Sequence, residues 1–520
     1  MGLTSLDYGV VGVYAIALFI LAWLVSREKP GHEKDTEDYF LAGKSLPWWA
    51  IGASLIAANI SAEQIIGMSG SGFALGLAIA SYEWMAAITL VIVGKFMLPI
   101  FLKRGIYTMP QFLEQRFGPS VKYTMSIFWL VLYTVVNLTT ILWLGATAIS
   151  TLTGLSMFNG MLALAAFAAA YSLYGGLKAV AFTDIIQVVL LVFGGILITW
   201  IALGQVGDGS AAGGFNRLMT ELPDRFDMIL SKDNPNYQAL PGIGVLIGGM
   251  WIMNLSYWGF NQYIIQRALG AKSVEEAQRG ILFAAGLKLV MPFIIVIPGI
   301  AAVILAPDIA KPDQAYPEMM KLAPIGLRGL IFAALIAAIV SSLGSMMNSI
   351  STIFTMDLLK PLVLKNASET VLVNIGRATS FSAMVIALFL ATPLLGGADQ
   401  VFQNIQDWTG YFTPGITAIF VLGMFWKRAT EFGGLAAVVS SCVLSFLWPS
   451  IFPDMPFMDR VGIVFLISLA LGAGVSLLQK PATQEQTVDL GGINFKTTNE
   501  FNIISVLIVV LLCVLYGVWW

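Results

Sequence analysis

The chain has 520 residues, of which 58% are hydrophobic and only 11% are charged, and its mean hydropathy is +0.82. Soluble domains carry about 25% charged residues, so this composition excludes a sizeable water-soluble domain and predicts a polytopic membrane protein. The formal net charge of -2 offers no basic surface, which excludes nucleic acid as a partner.

Residues that commonly bind metals or form covalent bonds are scarce. The two cysteines, Cys442 and Cys513, sit inside apolar runs, and we expect both to be free, buried thiols. The one histidine, His32, lies in a charged loop and is expected to be solvated. With no histidine in an apolar run and no metal-ligand cluster, an enzyme is the least favoured class of function.

The first apolar run, residues 8–25, has no basic segment before it and no small-residue cleavage site, and Arg27 and Lys29 follow it. These features are not those of a signal peptide, so we expect the run to persist as a helix.

Runs of about 18 or more apolar residues can cross a bilayer as helices. By that criterion the sequence predicts an all-α membrane protein with fourteen spans, at residues 6–25, 46–70, 78–101, 123–150, 157–174, 180–204, 242–265, 278–305, 327–356, 376–395, 400–425, 432–450, 460–478 and 502–519. With the N-terminus outside, the inner loops hold 19 of the 28 lysines and arginines. The positive-inside rule therefore places both termini on the extracytoplasmic side.

The longest predicted outer segment, residues 206–241, divides the chain, and its amphipathic part, 215–230, is expected to lie as a helix over the outer face. Five spans precede this loop after the first one, and five follow it. Because five is odd, the second set crosses the membrane in the opposite sense to the first. This relationship predicts an inverted repeat. The predicted organisation is an extra span and loop at 1–45, a first repeat at 46–205, the loop at 206–241, a second repeat at 242–426 and three further spans at 427–520.

The span that opens the first repeat turns polar at its expected mid-bilayer position, where residues 57–64 read AANISAEQ. Unsatisfied backbone groups in hydrocarbon cost several kcal/mol each, so such a stretch is tolerated only beside a cavity or buried in protein. One stretch alone fits a packed polar face equally well. The span that opens the second repeat has its own polar stretch at residues 254–257, and the matched pair predicts two broken helices at a transport site.

Ionisable residues at membrane depth are costly and mark candidate functional sites. Glu63 lies at the first break, and Glu83 and Lys288 can both reach the midplane, either to bind hydroxyl groups or as a structural ion pair. Asp184, near the inner end of the sixth span, could help cations leave toward the cytoplasm or could be a solvated interfacial acid. Asp407 could face a cavity or pack between helices.

No arginine falls at the predicted midplane, whereas a site for carboxylate substrates would favour an arginine or a free helix N-terminus. The polar residues there form a mixed, nearly neutral set: Gln64, Glu83, Asn254, Lys288 and Gln406. Such a set suits a neutral polyhydroxylated solute. Aromatic residues that could stack on a sugar ring or close a cavity flank it: Tyr82, Trp84, Tyr257, Trp258, Phe260, Phe402 and Trp408.

A cation site is predicted beside the first break. The ninth span carries adjacent hydroxyls, Ser341 and Ser342, among small residues. Sodium prefers about five or six oxygen ligands, and carbonyls freed at residues 57–60 together with two hydroxyls can supply them. The alternative is that both serines bond back to their own helix.

Several strings resemble the solute:sodium symporter family, most of all its bacterial sodium/galactose (sodium/glucose) cotransporter members: DYFLAGKSLPWW, SLIAANISAEQ, IGMSGSG, ASYEWM, YWGFNQYIIQR and IVSSL. The resemblance covers nearly the whole chain. It implies a LeuT-type core of two inverted five-helix repeats in a bacterial inner membrane, and sodium-driven import of a neutral hexose by alternating access. Another solute, such as an inositol, a sialic acid or an amino acid, is the alternative, and a channel is the alternative from a different class. The oligomeric state is left open.

The resemblance also implies roles for individual residues. The implied solute-binding residues are Gln64, Glu83, Asn254, Tyr257, Lys288 and Gln406, and Tyr257 is also the inner gate. The implied outer gate consists of Met68, Tyr82 and Phe402. The implied sodium ligands are the carbonyls of Ala57, Ile60 and Ala338 and the hydroxyls of Ser341 and Ser342, with Asp184 on the sodium exit path. Ala86 stands where the sugar transporters of the family have a serine, which leaves the preferred sugar epimer open.

Overall fold

The structure, a computed structural model, describes residues 2–26, 44–106, 108–398, 400–483 and 486–520. Within these ranges the chain forms helices and connecting loops, with one isolated parallel bridge between Leu46 and Ala271. His32 lies outside the described residues.

The helices of five or more residues are numbered in chain order. They are α1 (Ser5–Ser26), α2 (Trp48–Asn59), α3 (Glu63–Leu75), α4 (Leu77–Arg104), α5 (Met109–Phe117), α6 (Pro119–Thr153), α7 (Met157–Val206), α8 (Ala211–Glu221), α9 (Ile243–Ile247), α10 (Gly249–Phe260), α11 (Gln262–Leu269), α12 (Val274–Leu305), α13 (Ala315–Met320), α14 (Leu327–Leu362), α15 (Glu369–Leu395), α16 (Val401–Gly410), α17 (Thr413–Phe425), α18 (Glu431–Ile451), α19 (Phe457–Leu477) and α20 (Asn499–Val518). Widened π-helical turns occur at Glu63–Met68, Val93–Met97, Leu132–Leu138 and Ile353–Leu359.

Nine helices of the described chain are long and apolar enough to cross a membrane, and two bent pairs, α2 with α3 and α16 with α17, raise the number to as many as eleven. The count of fourteen is therefore not confirmed. The predicted spans at 6–25 and 157–174 contribute the shorter apolar stretches Ser5–Leu18 and Met157–Ala170. The one at 242–265 is divided among α9, α10 and α11.

The first predicted break is present. A bend of 57° separates α2 from α3, and it lies at residues 60–62. The N–H of Ser61 donates to the carbonyl of Asn59 at 2.7 Å rather than to the carbonyl of Ala57, as a continued α-helix would require. The carbonyl of Ala57 is thereby released from its helical partner in the middle of the protein.

The prediction of a second break at residues 254–257 is wrong, because α10 runs through them without interruption. The break lies at Asn261, whose backbone is extended at φ -84° and ψ 121° between α10 and α11. Tyr133 of α6 stabilises it: its hydroxyl donates to Asn261 Oδ1 and accepts from the N–H of Gln262 at 2.9 Å.

Two local expectations need correction. The helix predicted at 215–230 is α8, which begins earlier and ends at Glu221, because Pro223 disfavours helical backbone at Leu222. Cys442 and Cys513 are free, but only Cys442 is half-buried, and Cys513 is exposed. The expectation of a buried thiol is therefore wrong for Cys513, which lies on α20.

Candidate functional site

A cavity of about 80 Å³ lies between α3, α4, α10 and α16. Its wall contains five of the six predicted solute-binding residues: Gln64, Glu83, Asn254, Tyr257 and Gln406. All the predicted gate residues also line it: Met68, Tyr82, Phe402 and Tyr257. Gln64 and Met68 both lie in the π-helical turn that follows the first break, and such turns often mark functional sites.

Lys288 of α12 lies behind the wall of this cavity and is fully buried. Its ammonium donates to Glu83 Oε2 at 2.5 Å and to Asn59 Oδ1, and it lies 4.9 Å from the ring centroid of Trp258. Glu83, Asn59 and Trp258 all line the cavity. Lys288 is therefore a buried ion-pair partner that positions groups of the wall.

The three residues predicted to form the outer gate all lie in the cavity wall. Tyr82 and Phe402 make an edge-to-face contact with ring centroids 5.3 Å apart, and Met68 is fully buried beside them. Gly67 permits this packing, since a Cβ at that position would lie 2.9 Å from Phe402 Cβ. The three residues expected to form one gate thus line the same cavity, and two of them are in ring contact.

A hydrogen-bonded group surrounds Tyr257, the predicted inner gate. The hydroxyl of Tyr257 shares a hydrogen bond with the hydroxyl of Tyr263 and accepts from Asn59 Nδ2 at 3.1 Å. Tyr263 packs edge-to-face on Tyr133, the residue that stabilises the break at Asn261. Tyr257 is thus connected to both broken helices.

Several polar atoms of the cavity wall are buried and have no hydrogen-bond partner among the described residues: Glu63 Oε1, Tyr82 Oη, Asn137 Oδ1, Asn254 Nδ2 and Thr413 Oγ1. An unsatisfied buried polar group costs about 1–3 kcal/mol, so this wall fits a ligand that carries both donors and acceptors. Asn137 and Thr413 were missed from the sequence. The signal for Asn137 was present, because it is an amide inside an apolar run of α6.

Two of the five predicted cation ligands, Ser342 and Ala57, meet at the first break. Ser342 Oγ of α14 lies 3.3 Å from the carbonyl oxygen of Ala57 and 3.2 Å from that of Ala58. The other predicted ligand residues, Ile60, Ala338 and Ser341, are fully buried. A hydroxyl and released carbonyls in one buried place are the donor set that a hard monovalent cation requires.

Asp184 of α7 lies beside this cluster and is fully buried, so the alternative of a solvated interfacial acid is wrong. It accepts from Ser54 Oγ at 2.5 Å and from Ser341 Oγ, and Arg267 Nη2 lies 3.9 Å from Asp184 Oδ2. Arg267 falls between the predicted spans at 242–265 and 278–305, which the positive-inside rule assigns to an inner loop. It is instead buried at 1% exposure in α11, where it is the ionic partner of Asp184.

Asp407 pairs with a neighbouring helix and also lines a cleft separate from the central cavity, so it meets both of its predicted alternatives in part. It lies on α16 but not in the cavity wall, and it accepts from Arg460 Nη2 of α19 at 2.5 Å.

A loop outside the spans contacts two of the three helices that carry the outer gate, α3 and α16. Asp313 Oδ2 accepts from the N–H of Val401, the first residue of α16, at 3.2 Å. The same residue packs on α3, since a Cβ at Gly70 would lie 2.7 Å from Asp313 Oδ1. Burial raises the pKa of Asp313 to about 7, although the Val401 N–H and the charge of Lys311 act to lower it.

The chain is similar to known proteins in both sequence and fold. The model of the sodium:solute symporter family matches residues 39–440. A sodium/glucose cotransporter of Vibrio parahaemolyticus is 49% identical over 100% of this chain and 99% of that protein. A sodium/myo-inositol cotransporter of Bos taurus is 33% identical over 93% of this chain and 75% of that protein. The solved structure of a Na⁺-coupled sialic acid symporter has a TM-score of 0.81 over 92% of this chain and 99% of that chain, at 23% identity. This last likeness concerns the fold, which is an all-helical membrane fold with a LeuT-type core.

Proposed function

The chain belongs to the sodium:solute symporter family, and on that premise we propose that it imports a neutral hexose of the galactose or glucose type together with Na⁺. The choice of a hexose rests on the composition of the cavity wall. The wall combines amides, hydroxyls and aromatic rings with the carboxylate of Glu83, whose charge Lys288 neutralises. A carboxylate substrate would leave its charge without a counter-charge in such a wall. The transport cycle requires no covalent chemistry.

In this proposal Gln64, Asn254 and Gln406 exchange hydrogen bonds with sugar hydroxyls, and Tyr257 stacks on the ring. Glu83 accepts from a further hydroxyl, and Lys288 orients its carboxylate from behind the wall. Charge-assisted hydrogen bonds of this kind are roughly twice as strong as neutral ones, so Glu83 contributes much of the affinity.

Sodium binds between α2 and α14, to the carbonyls of Ala57, Ile60 and Ala338 and to the hydroxyls of Ser341 and Ser342. Cation binding there draws α14 toward the C-terminal end of α2. The resulting movement of α2 is passed through the first break to the π-helical turn that carries Gln64. Asp184 then receives the cation on its way to the cytoplasm, since it already accepts a hydrogen bond from Ser341.

In this proposal alternating access uses the two groups of gate residues in the cavity wall. Separation of Phe402 from Tyr82 and Met68 opens the site to the outside, and separation of Tyr257 from Asn59 and Tyr263 opens it to the cytoplasm. Binding of both cargoes stabilises the state in which neither end is open, because only that state completes both sets of contacts. We assign both termini to the extracytoplasmic face of a bacterial inner membrane.

The proposal is tested by uptake into proteoliposomes under an imposed Na⁺ gradient, with labelled galactose, glucose and mannose. We expect saturable accumulation of a hexose that collapses when K⁺ replaces Na⁺ outside. Failure to accumulate any hexose overturns the proposal. Na⁺ conductance without saturable sugar-stimulated Na⁺ entry would identify a channel instead.

A second candidate substrate is a cyclic polyol. The sodium/myo-inositol cotransporter of Bos taurus is 33% identical to this chain, and a cyclic polyol also presents adjacent ring hydroxyls to amide and carboxylate groups. The same uptake assay with labelled myo-inositol decides between the two, because the better substrate has the higher ratio of maximal rate to KM.

A further inference from the structure

A cleft of about 310 Å³ lies between the start of α2, the first turns of α12 and the start of α20. Both charged and apolar side chains line it: Trp48, Arg279, Leu282, Phe283, Glu500 and Ile504. The predicted spans at 46–70, 278–305 and 502–519 all begin on the inner side of the membrane. The cleft therefore lies where the inner leaflet meets the cytoplasm.

Three ionic side chains meet at the polar end of the cleft. Arg279 Nη2 lies 3.2 Å from Glu500 Oε2, and Arg279 Nη1 lies 4.0 Å from Glu276 Oε1. Two carboxylates around one guanidinium leave one negative charge in excess. Nε of Arg279 has no hydrogen-bond partner among the described residues, and the side chain is 42% exposed, so it can turn this N–H toward a ligand. The group thus offers carboxylate acceptors beside an unused cationic donor.

The same group holds the start of α2. Pro47 occupies the position that precedes this helix and provides no side-chain cap. Glu276 Oε2 accepts instead from the N–H of Trp48 at 2.7 Å, which satisfies one of the N–H groups that a helix start leaves without a partner. A ligand of the ionic group therefore contacts the inner end of the helix whose last turn carries the carbonyl of Ala57.

An open apolar groove continues from the ionic group between α12 and α20. Its two helix faces, each with the spacing i, i+4, i+7 and i+11, are Arg279, Phe283, Gly286 and Val290 on α12 and Glu500, Ile504, Leu507 and Leu511 on α20. Phe283, Val290 and Leu507 are 38%, 40% and 61% exposed, and a Cβ at Gly286 would meet no heavy atom within 4 Å. Eleven residues of helix span about 16 Å, which is about half the thickness of the hydrocarbon core. The groove therefore has the length of one acyl chain.

We propose that the cleft and groove bind one phosphatidylethanolamine molecule of the inner leaflet. The primary ammonium of the lipid donates to the carboxylates of Glu500 and Glu276, and its phosphate accepts from Arg279. The acyl chains lie against Phe283 and over Gly286. A choline headgroup has no N–H to donate, and a glycerol headgroup has no positive charge for the excess carboxylate, so the ionic group selects a primary ammonium.

The test is native mass spectrometry of the purified full-length protein with phosphatidylethanolamine, phosphatidylcholine or phosphatidylglycerol, all carrying the same dioleoyl chains. The wild type is expected to retain one phosphatidylethanolamine about tenfold more tightly than either other lipid. Arg279→Ala and Glu500→Gln should each abolish this preference. Their ion pair is about half exposed, so thermal unfolding of both variants should match that of the wild type and exclude misfolding as the cause.

Lys360→Ala is the matched control. Lys360 and Glu369 form another partly exposed ion pair, 3.9 Å apart, which the sequence also places on the inner side, so the variant should keep the lipid preference. Equal retention of all three lipids overturns the proposal, and so does a preference for phosphatidylethanolamine that Arg279→Ala and Glu500→Gln leave intact.

A soluble competitor distinguishes a lipid site from a site for a free phosphate ester. Glycerophosphoethanolamine has the same headgroup without acyl chains, and at equal concentration it should leave the lipid bound. Gly286→Leu fills the groove without changing the ionic group and should weaken retention of the lipid about tenfold. Displacement by the soluble headgroup, or undiminished retention in Gly286→Leu, overturns the assignment of the site to a membrane lipid.

Discussion

The hydroxyl of Ser342 lies 3.3 Å from the carbonyl oxygen of Ala57, across the contact between α14 and the end of α2. The carbonyl is available because the helix breaks two residues later and Ser61 donates its N–H elsewhere. The helix break therefore has two consequences. It frees a backbone carbonyl oxygen that can bind a cation, and it begins the turn that carries Gln64 into the cavity.

Ser342→Ala should weaken Na⁺ activation of transport. The variant removes one of five proposed oxygen ligands, and an interaction with a charged group is worth about 1.5–3 kcal/mol, so the Na⁺ concentration at half-activation should rise about 10- to 100-fold. The measurement is initial sugar uptake against external Na⁺ concentration.

Thr352→Val is the matched control for Ser342→Ala. Thr352 is a buried hydroxyl residue of the same helix, and it bonds back to the carbonyl of Asn348 at 2.7 Å, away from the break. Its Na⁺ activation curve should match that of the wild type. An unchanged curve for Ser342→Ala would remove Ser342 from the proposed cation site.

Lys288→Met should destabilise the protein and abolish uptake. The ammonium lies 2.5 Å from Glu83 at zero exposure, and removing one partner of a buried pair leaves an uncompensated charge, at a cost of about 3–5 kcal/mol. The double variant Glu83→Gln with Lys288→Met should recover most of the lost stability but no sugar uptake. Thermal unfolding in detergent and proteoliposome uptake measure the two effects separately.

An exposed ion pair provides the comparison for Lys288→Met. Arg217 and Glu221 of α8 are 2.7 Å apart and more than 40% exposed, so Arg217→Ala should change the stability little and leave uptake unchanged. Recovery of uptake in the double variant would show that the Glu83–Lys288 pair is structural and not part of the solute site.

The first break could be predicted from the sequence because its cause is local. Residues 57–64 place small and polar side chains in an apolar run, and the bend lies within them. The second break could not be placed, because its cause is distant: Tyr133 of α6 stabilises extended backbone at Asn261 across 128 residues of sequence. The polar stretch at 254–257 contributes Asn254 and Tyr257 to the cavity from an intact helix.

The surroundings of a charged side chain are also difficult to predict from the sequence when distant residues determine them. Arg267 follows a short polar stretch, and counting positive charges places it in an inner loop. Its burial depends on Asp184, Ser54 and Ser345, which α7, α2 and α14 bring together around it. Lys288 could be identified as unusual because it lies deep in an apolar run, but its position behind Glu83 and Asn59 is a property of the packed helices.

Gly70→Ala should impair closure of the gate formed by Met68, Tyr82 and Phe402. A Cβ there would lie 2.7 Å from Asp313 Oδ1 and 2.8 Å from Asp313 N, so the loop would have to move away from α3. Overpacking of this kind costs about 1–3 kcal/mol, here only in the closed arrangement, and the maximal uptake rate should fall several-fold. Initial uptake rates at saturating Na⁺ and sugar measure the effect.

Gly204→Ala is the control for added volume. That glycine lies in α7 with no heavy atom within 4 Å of the added Cβ, so the alanine should raise stability by about 1 kcal/mol and preserve the uptake rate. A Gly70→Ala variant with an unchanged maximal rate would show that the loop does not need to lie against α3 during transport.

The arrangement in which Asp313 is buried should become more stable as the pH falls. Burial raises the pKa of Asp313 to about 7 from an ordinary value near 4, so the protonated form is favoured in the folded state. The stabilisation is complete below pH 4, decreases as the pH rises toward 7 and is lost above it. Between pH 7 and pH 5.5 the wild type should gain about 2 kcal/mol relative to Asp313→Asn, which carries no titrating proton at this position.

Thermal unfolding of both proteins in detergent from pH 8 to pH 5.5 measures this difference. Other titrating groups affect the two proteins equally, so the informative quantity is the gap between their free energies of unfolding at each pH. The gap should change steadily below pH 7 and stay constant above it. Parallel curves throughout would show that Asp313 keeps an ordinary pKa, and that the hydrogen bond it accepts from Val401 contributes no pH dependence to the closed arrangement.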